Sequence, residues 1–463
     1  MGLYFVIRAV ISYHEQMSDF LEQLFQTTKI KEFVPLFKEA EEKYGSQEEF
    51  LKEVTAYLPV RLYEHYYDDT VPHSFFGLIS ASLLAQSLFP EDSRWRPLVQ
   101  QSWFATKERK RTPLNIDDIE SKSEGDREQR WQRFQETADG GDFQAAMAWA
   151  KSFFKEEEDR QFFRRKSLTY AMIDIFQGGH KFLYLFQAWR LAEALKWTHL
   201  AQIICPALHF MIVAPQDHSL SLFVLKQGRS KVLNSLHSNQ GGITSESYDE
   251  AEATFLFSDG PDESRQMLEK LANSGASLES VQEVLLLAAA QALSNSRIGD
   301  WIWPMRAFHL AYCIRQWPDQ TPEEKTFTLM IAAVVLNQAS AKSRETDQNR
   351  RLDEVARQLC PLEPFNVLKS VISHTDPYAS ATAVYAILGM DDSKKEELFK
   401  TLSSQAVKND GDMCYGHDIL FIHEVVECYK DFQLAQKDRL PVAAGFFLGR
   451  VAKKYELFGT YKG

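Results

Sequence analysis

The sequence predicts an all-α protein, multi-helical, carrying a degenerate internal repeat. Three observations predict it. Apolar residues recur three and four apart, as in Phe33, Leu36 and Phe37, which is the spacing of one helix face. Strand signals are confined to 210–213 and 220–225, the only short apolar runs that read as extended. A short phrase also occurs four times, in which Gly or Pro precedes an apolar helical stretch and His usually stands between them.

The clearest copy is Gly179-His180-Lys181-Phe182-Leu183-Tyr184-Leu185, and it returns as Gly416-His417-Asp418-Ile419-Leu420-Phe421-Ile422. An earlier relative is Pro72-His73-Ser74-Phe75-Phe76, and a degenerate one is Pro304-Met305-Arg306-Ala307-Phe308-His309. Gly and Pro mark helix boundaries, so each phrase predicts a helix start with its His in the first turn. Positions 73, 180, 305 and 417 are 107, 125 and 112 residues apart, which implies a unit of about 110–120 residues. That period is too long for the common helical repeats. The expectation is helix starts converging on one centre.

Taken in order, residues 1–17 form an N-terminal extension, and Met17-Ser18-Asp19 is a candidate start of the folded part. A single helical domain is expected over 18–463. Residues 18–44 read as two helices and 49–67 as a further helical stretch. The mixed-charge segment 107–130, opening Lys107-Glu108-Arg109-Lys110-Arg111, reads as an exposed loop. Asp142 is a candidate N-cap, and Asp259 and Asp376 stand at equivalent helix starts. Thr321-Pro322-Glu323-Glu324 and Ser393-Lys394-Lys395-Glu396 read as capping boxes. The segments 229–250 and 340–350 read as polar loops.

Bulk properties exclude several classes. A net charge of −12 argues against nucleic-acid or anionic-membrane binding, which needs a basic surface. No apolar run reaches the roughly 18 residues a membrane span requires. The apolar start is interrupted by Arg8 and lacks a small-residue cleavage site, so a signal peptide is not expected. Five scattered cysteines fit reduced thiols, and a cytoplasmic protein is expected. The P-loop, G-x-G-x-x-G, G-x-S-x-G and H-E-x-x-H signatures do not occur.

The phrase histidines His73, His180 and His417 are the candidate metal ligands. A helix N-terminus disfavours imidazolium, and a ligand must be neutral. Neutral imidazoles with a carboxylate would suit iron, zinc or copper. His417 and Glu424 are seven apart and share a helix face, whereas His423 lies on another. His309 and Glu424 are the candidate catalytic partners. Met305 stands where the other copies have His, so either Met305 or His309 fills that quarter, or it is blank. The pairs Cys205/His209 and His309/Cys313 share helix faces but read as ordinary buried cysteines. The competing reading makes the repeated His only a capping or core residue.

The run Asp174-Ile175-Phe176-Gln177-Gly178-Gly179-His180-Lys181 through Trp189-Arg190, with Trp197 following, resembles the helical region of a group of bacterial Rieske-type proteins. In these a large helical domain is joined to a Rieske (2Fe-2S) domain. His73-Ser74-Phe75-Phe76, Arg306-Ala307-Phe308 and Gly416-His417-Asp418 fall where that region has its other His-bearing helix starts. The resemblance covers about 60–450. More distantly, the histidine-bearing helices resemble the questin oxidase-like family, whose named member is an oxygenase. The Rieske domain is absent here. Its signature needs Cys-x-His and Cys-x-x-His together, and only Cys414-Tyr415-Gly416-His417 has either spacing.

The resemblance implies an oxidoreductase-like protein, and together with the phrase histidines the expectation is a metal-dependent, oxygenase-like oxidoreductase acting on a small organic substrate. Iron is the expected ion, and electrons would come from a separate electron-transfer protein or from the substrate. Phe182, Tyr184, Phe186, Trp189 and Phe421 would wall a dry pocket. The alternative is a non-catalytic helical scaffold that holds a protein partner in a curved groove.

Overall fold

The computed structural model describes residues 19–62, 73–108, 110–226, 232–297, 299–344, 363–409 and 416–451, with the single positions 457 and 461. The N-terminal extension, the end of the 49–67 stretch, most of the 340–350 loop and Cys414 lie outside them.

The protein is all-helical. Among the described residues there is no strand, only the isolated bridges Leu62 to Lys110, Gly241 to Ala276 and Ser296 to Arg344. Both segments read as extended are helical: 210–213 closes helix Leu200–Val213, and 220–225 lies within Ser219–Lys226. A short apolar run cannot distinguish a buried helix from a buried strand, and packing made the choice. Part of the expected 229–250 loop is also helical, over Leu233–His237 and from Ser245 onward.

Local capping chemistry sets several boundaries. Asp142 and Asp376 accept hydrogen bonds from the backbone N–H of Ala145 and Ala379, and Thr321 with Glu324 forms a complete capping box. Two expected caps are not made. Gly260 takes the place expected for Asp259, and the helix containing Ser393 begins at that residue, with Asp392 before it making no cap bond. In each, the candidate oxygen is one register off the position that can reach the third backbone N–H.

Residues 110–126 of the expected loop are irregular and helix Arg127–Asp139 follows, yet the segment is tied to the body. Ile116 and Ile119 are buried, and the Lys151 ammonium donates to both of their carbonyls. Glu108 accepts from the backbone N–H (3.0 Å) and hydroxyl (2.6 Å) of Ser74. Its carboxylate therefore caps helix His73–Leu88.

The interior is one contiguous apolar core running from Phe20 to Tyr461. Helices Leu278–Asn295 and Pro322–Ser343 are buried on almost every face, as expected of helices apolar all round. Each fully buried Leu there contributes ~1.5–3 kcal/mol relative to exposure. Helix Ile302–Gln316 packs on both helices, and it belongs to a set of four: His73–Leu88, Phe176–Ala194, Ile302–Gln316 and His417–Asp431. Each packs on the next and the last packs on the first, closing a ring. Among the described residues no helix is long and apolar enough to cross a membrane.

Candidate active site

Each helix of the ring brings one histidine inward. His73 and His417 are the first residues of their helices, and Gly416 precedes His417 in a left-handed conformation (φ 85°). A Cβ at Gly416 would stand 2.6 Å from Gln101 Oε1, so only Gly fits this turn. Helix Phe176–Ala194 is broken at its start, where Gln177, Gly178 and Gly179 have φ of 53°, 73° and 93°. Regular helix resumes at His180. The break aims the Gln177 carbonyl at the His180 ring, 2.6 Å from Nδ1. His309 differs, because it sits in the middle of its helix, while Met305 at the phrase position is core.

The four rings form one cluster, each 1–7% exposed. Ring centroids lie 5.7 Å apart for His73 and His180, 4.8 Å for His73 and His417, and 5.3 Å for the stacked pair His309 and His417. His309 fills the quarter of the site that its sequence position left open. Glu424, which shares a helix face with His417, joins it, with Oε2 2.5 Å from His309 Nδ1. On the far side, His309 Nε2 lies 3.1 Å from His417 Nδ1. His423 faces elsewhere and reaches Glu427 at 3.3 Å.

These contacts set the tautomers. A carboxylate oxygen accepts from a ring N–H, so this contact places the hydrogen on His309 Nδ1 and leaves Nε2 its lone pair. His417 Nδ1–H donates to that lone pair. The relay Glu424–His309–His417 therefore ends in a lone pair on His417 Nε2, which is buried and has no hydrogen-bond partner among the described residues. By the same logic, His180 donates Nδ1–H to the Gln177 carbonyl and keeps its lone pair on Nε2.

His180 and His417 face a cavity of about 10 Å³, which has room for about one water molecule. His309, Gln187 and Arg306 complete its polar lining. Burial, then the Arg306 charge and His73, hold His180 well below the ordinary histidine range. Burial, then the neighbouring histidines and Arg306, do the same for His417. Both rings are thus neutral bases at pH 7. Burial raises the Cys205 thiol to about 12 and Cys313 well above its ordinary value, so neither is a ready thiolate.

The cluster does not assemble the ligand set expected for iron. Both nitrogens of His309 and Nδ1 of His417 are spent on the relay. Among the described residues no group of three or more His, Cys, Asp or Glu side chains is arranged around a common ion. An ion there would need a third donor to turn into the cavity.

Some residues at the site carry no motif. Arg306 is only 3% exposed and lines both the small cavity and a larger pocket beside it. Lys181 is fully buried and bonds Asp174, whose other oxygen accepts from the backbone N–H of Phe176 and Asp217. That pair holds the broken turn in place. The available signal was a lone cation inside two of the four apolar phrases: Lys181 after His180, and Arg306 three residues before His309.

The comparisons with known proteins return no match: no family model, no curated protein and no solved structure.

Proposed function

We propose that the chain is an enzyme that removes a proton from a small organic substrate, with His417 Nε2 as the base. The observation that carries this reading is the Glu424–His309–His417 relay, which ends in a buried, neutral lone pair with no partner among the described residues, on a ring that lines a cavity. A positioned base of this kind contributes about 10²–10⁴-fold to a rate. Glu424 orients His309 and offsets the positive charge that develops as the proton arrives. Arg306 stabilises the anion left on the substrate. A non-catalytic scaffold has no use for four buried imidazoles and a cation at one point, each of which costs desolvation.

The test is solvent-deuterium exchange into a panel of small carbon acids, followed by proton NMR. The wild type is expected to exchange at least one of them. His417→Asn should lower that rate at least about 100-fold. Equal exchange by a folded His417→Asn variant overturns the reading.

The metal-dependent oxygenase expected from the sequence is the second reading. What favours it is that His180 and His417 are neutral with Nδ1 already satisfied, the state in which imidazole ligates a metal. Elemental analysis of protein purified without a His tag tests it. About one iron per chain, lost in His180→Ala, is the supporting result, and electrons would then come from a separate protein or from the substrate. No metal after reconstitution removes this reading.

A further inference from the structure

Beside the histidine cavity lies a pocket of about 240 Å³, and Arg306 is shared between the two. This is smaller than the usual range for drug-sized ligands, roughly 300–1,000 Å³. Its walls include the apolar side chains of Phe176, Leu220, Trp303 and Val335. Two cations lie over the same ring: the Arg306 guanidinium carbon is 5.1 Å from the Trp303 centroid, and the Lys342 ammonium is 4.4 Å from it. The acid in the lining, Asp217, is tied to Ser219, accepting from its backbone N–H at 3.0 Å and its hydroxyl at 2.6 Å. The floor is the broken turn at Gln177 and Gly178, whose carbonyl orients His180.

We propose that this pocket binds the substrate and that the substrate is a small organic carboxylate with a flat apolar body. The inference rests on the proton-abstraction reading for its catalytic meaning, but the binding site stands on its own residues. Two cations against one engaged acid select an anion. Guanidinium matches carboxylate in a bidentate geometry, and in a desolvated wall such a pair gains strength. The indole and phenyl walls suit a planar body. Because Arg306 also lines the histidine cavity, a carboxylate on it sits at the inner end of the pocket. The atoms next to the carboxylate are then those presented to His417, and the body extends outward past Trp303 towards Lys342.

The test is calorimetric titration of the whole chain with benzoate and 2-naphthoate, using benzamide and 2-naphthamide as uncharged controls of the same shape. At least one acid is expected to bind at least tenfold more tightly than its amide. Arg306→Gln should bring that acid to the level of its amide, and Lys342→Gln should weaken it severalfold. Lys342 is exposed, so its variant keeps the test open if Arg306→Gln does not fold. Calorimetry reads the pocket and deuterium exchange reads the base, which separates the two claims: a failed base leaves carboxylate binding intact, and a failed pocket leaves deuterium exchange intact. Equal binding of acids and amides, acid binding unchanged in both cation variants, or no binding of either acid up to about 10 mM overturns the proposal.

Discussion

At the scale of single residues, the site is a problem in where hydrogens sit. Glu424 fixes one hydrogen on His309, and that hydrogen fixes the next on His417. Glu424→Gln keeps the shape but can present an amide donor to His309 Nδ1, and so can reverse the relay. The expected result is a changed His417 tautomer in ¹⁵N NMR of the ring nitrogens, together with lost deuterium exchange. An unchanged His417 spectrum would mean that the carboxylate does not set the relay. Glu108 offers a second test at this scale. Burial raises its carboxyl to about 7 from an ordinary 4.5, against the Ser74 hydrogen bonds that lower it. The folded protein then holds that proton to higher pH than the unfolded chain. Stability from this group is present below about 4.5 and is lost as pH rises through about 7. His180 and His417 work in the opposite direction, because the unfolded chain takes up protons below about 6.5 that the folded chain refuses. The difference between wild type and Glu108→Gln isolates the first effect. The wild-type urea midpoint minus that of Glu108→Gln should fall as pH rises from about 4.5 to about 7.5, whichever way each midpoint moves alone.

Among helices, the informative feature is the broken start of Phe176–Ala194. Three consecutive left-handed residues, one of them Gln177, hold the carbonyl that orients His180. Strain of this kind persists only where the surroundings over-determine it, here through Asp174, Lys181 and the tight approach of Gly179 to Leu310. A Cβ at Gly179 would lie 3.1 Å from Leu310 Cδ1 at a φ of 93°. Gly179→Ala should therefore cost about 2 kcal/mol or more, read as a lower urea midpoint. It should also disturb the His180 ring resonance before other core signals. The helix starts at His73 and His417 were legible because Gly and Pro act locally. The misread segments 210–213 and 220–225 were not, because a short apolar run carries no period of its own. The missed caps at Asp259 and Ser393 were errors of a single residue, which geometry punishes and composition does not reveal.

Across the whole molecule, the ring of four helices draws on positions 73 to 431, so the site exists only when distant parts of the chain are assembled. One contiguous core underlies it. Far-ultraviolet circular dichroism and the histidine NMR signals should therefore be lost in one coincident thermal transition. Separate transitions would divide the chain into independent units. The buried helix Leu278–Asn295 backs the ring, and Leu287→Ala should cost about 2–5 kcal/mol through its cavity, lowering that single transition.

By itself, the sequence determined what is periodic and local: helices throughout, several of their caps, and three histidines marked by a recurring phrase. The shared face of His417 and Glu424 was also legible, since seven residues make two turns. The choice of His309 over Met305, the hydrogen-bond relay, the buried Arg306 and the pocket beside it came only with tertiary structure. The physical reason is distance along the chain. His309 and Glu424 are 115 residues apart and bear on each other only across a helix interface. Nothing in the spacing along either helix encodes which ring nitrogen will face which oxygen.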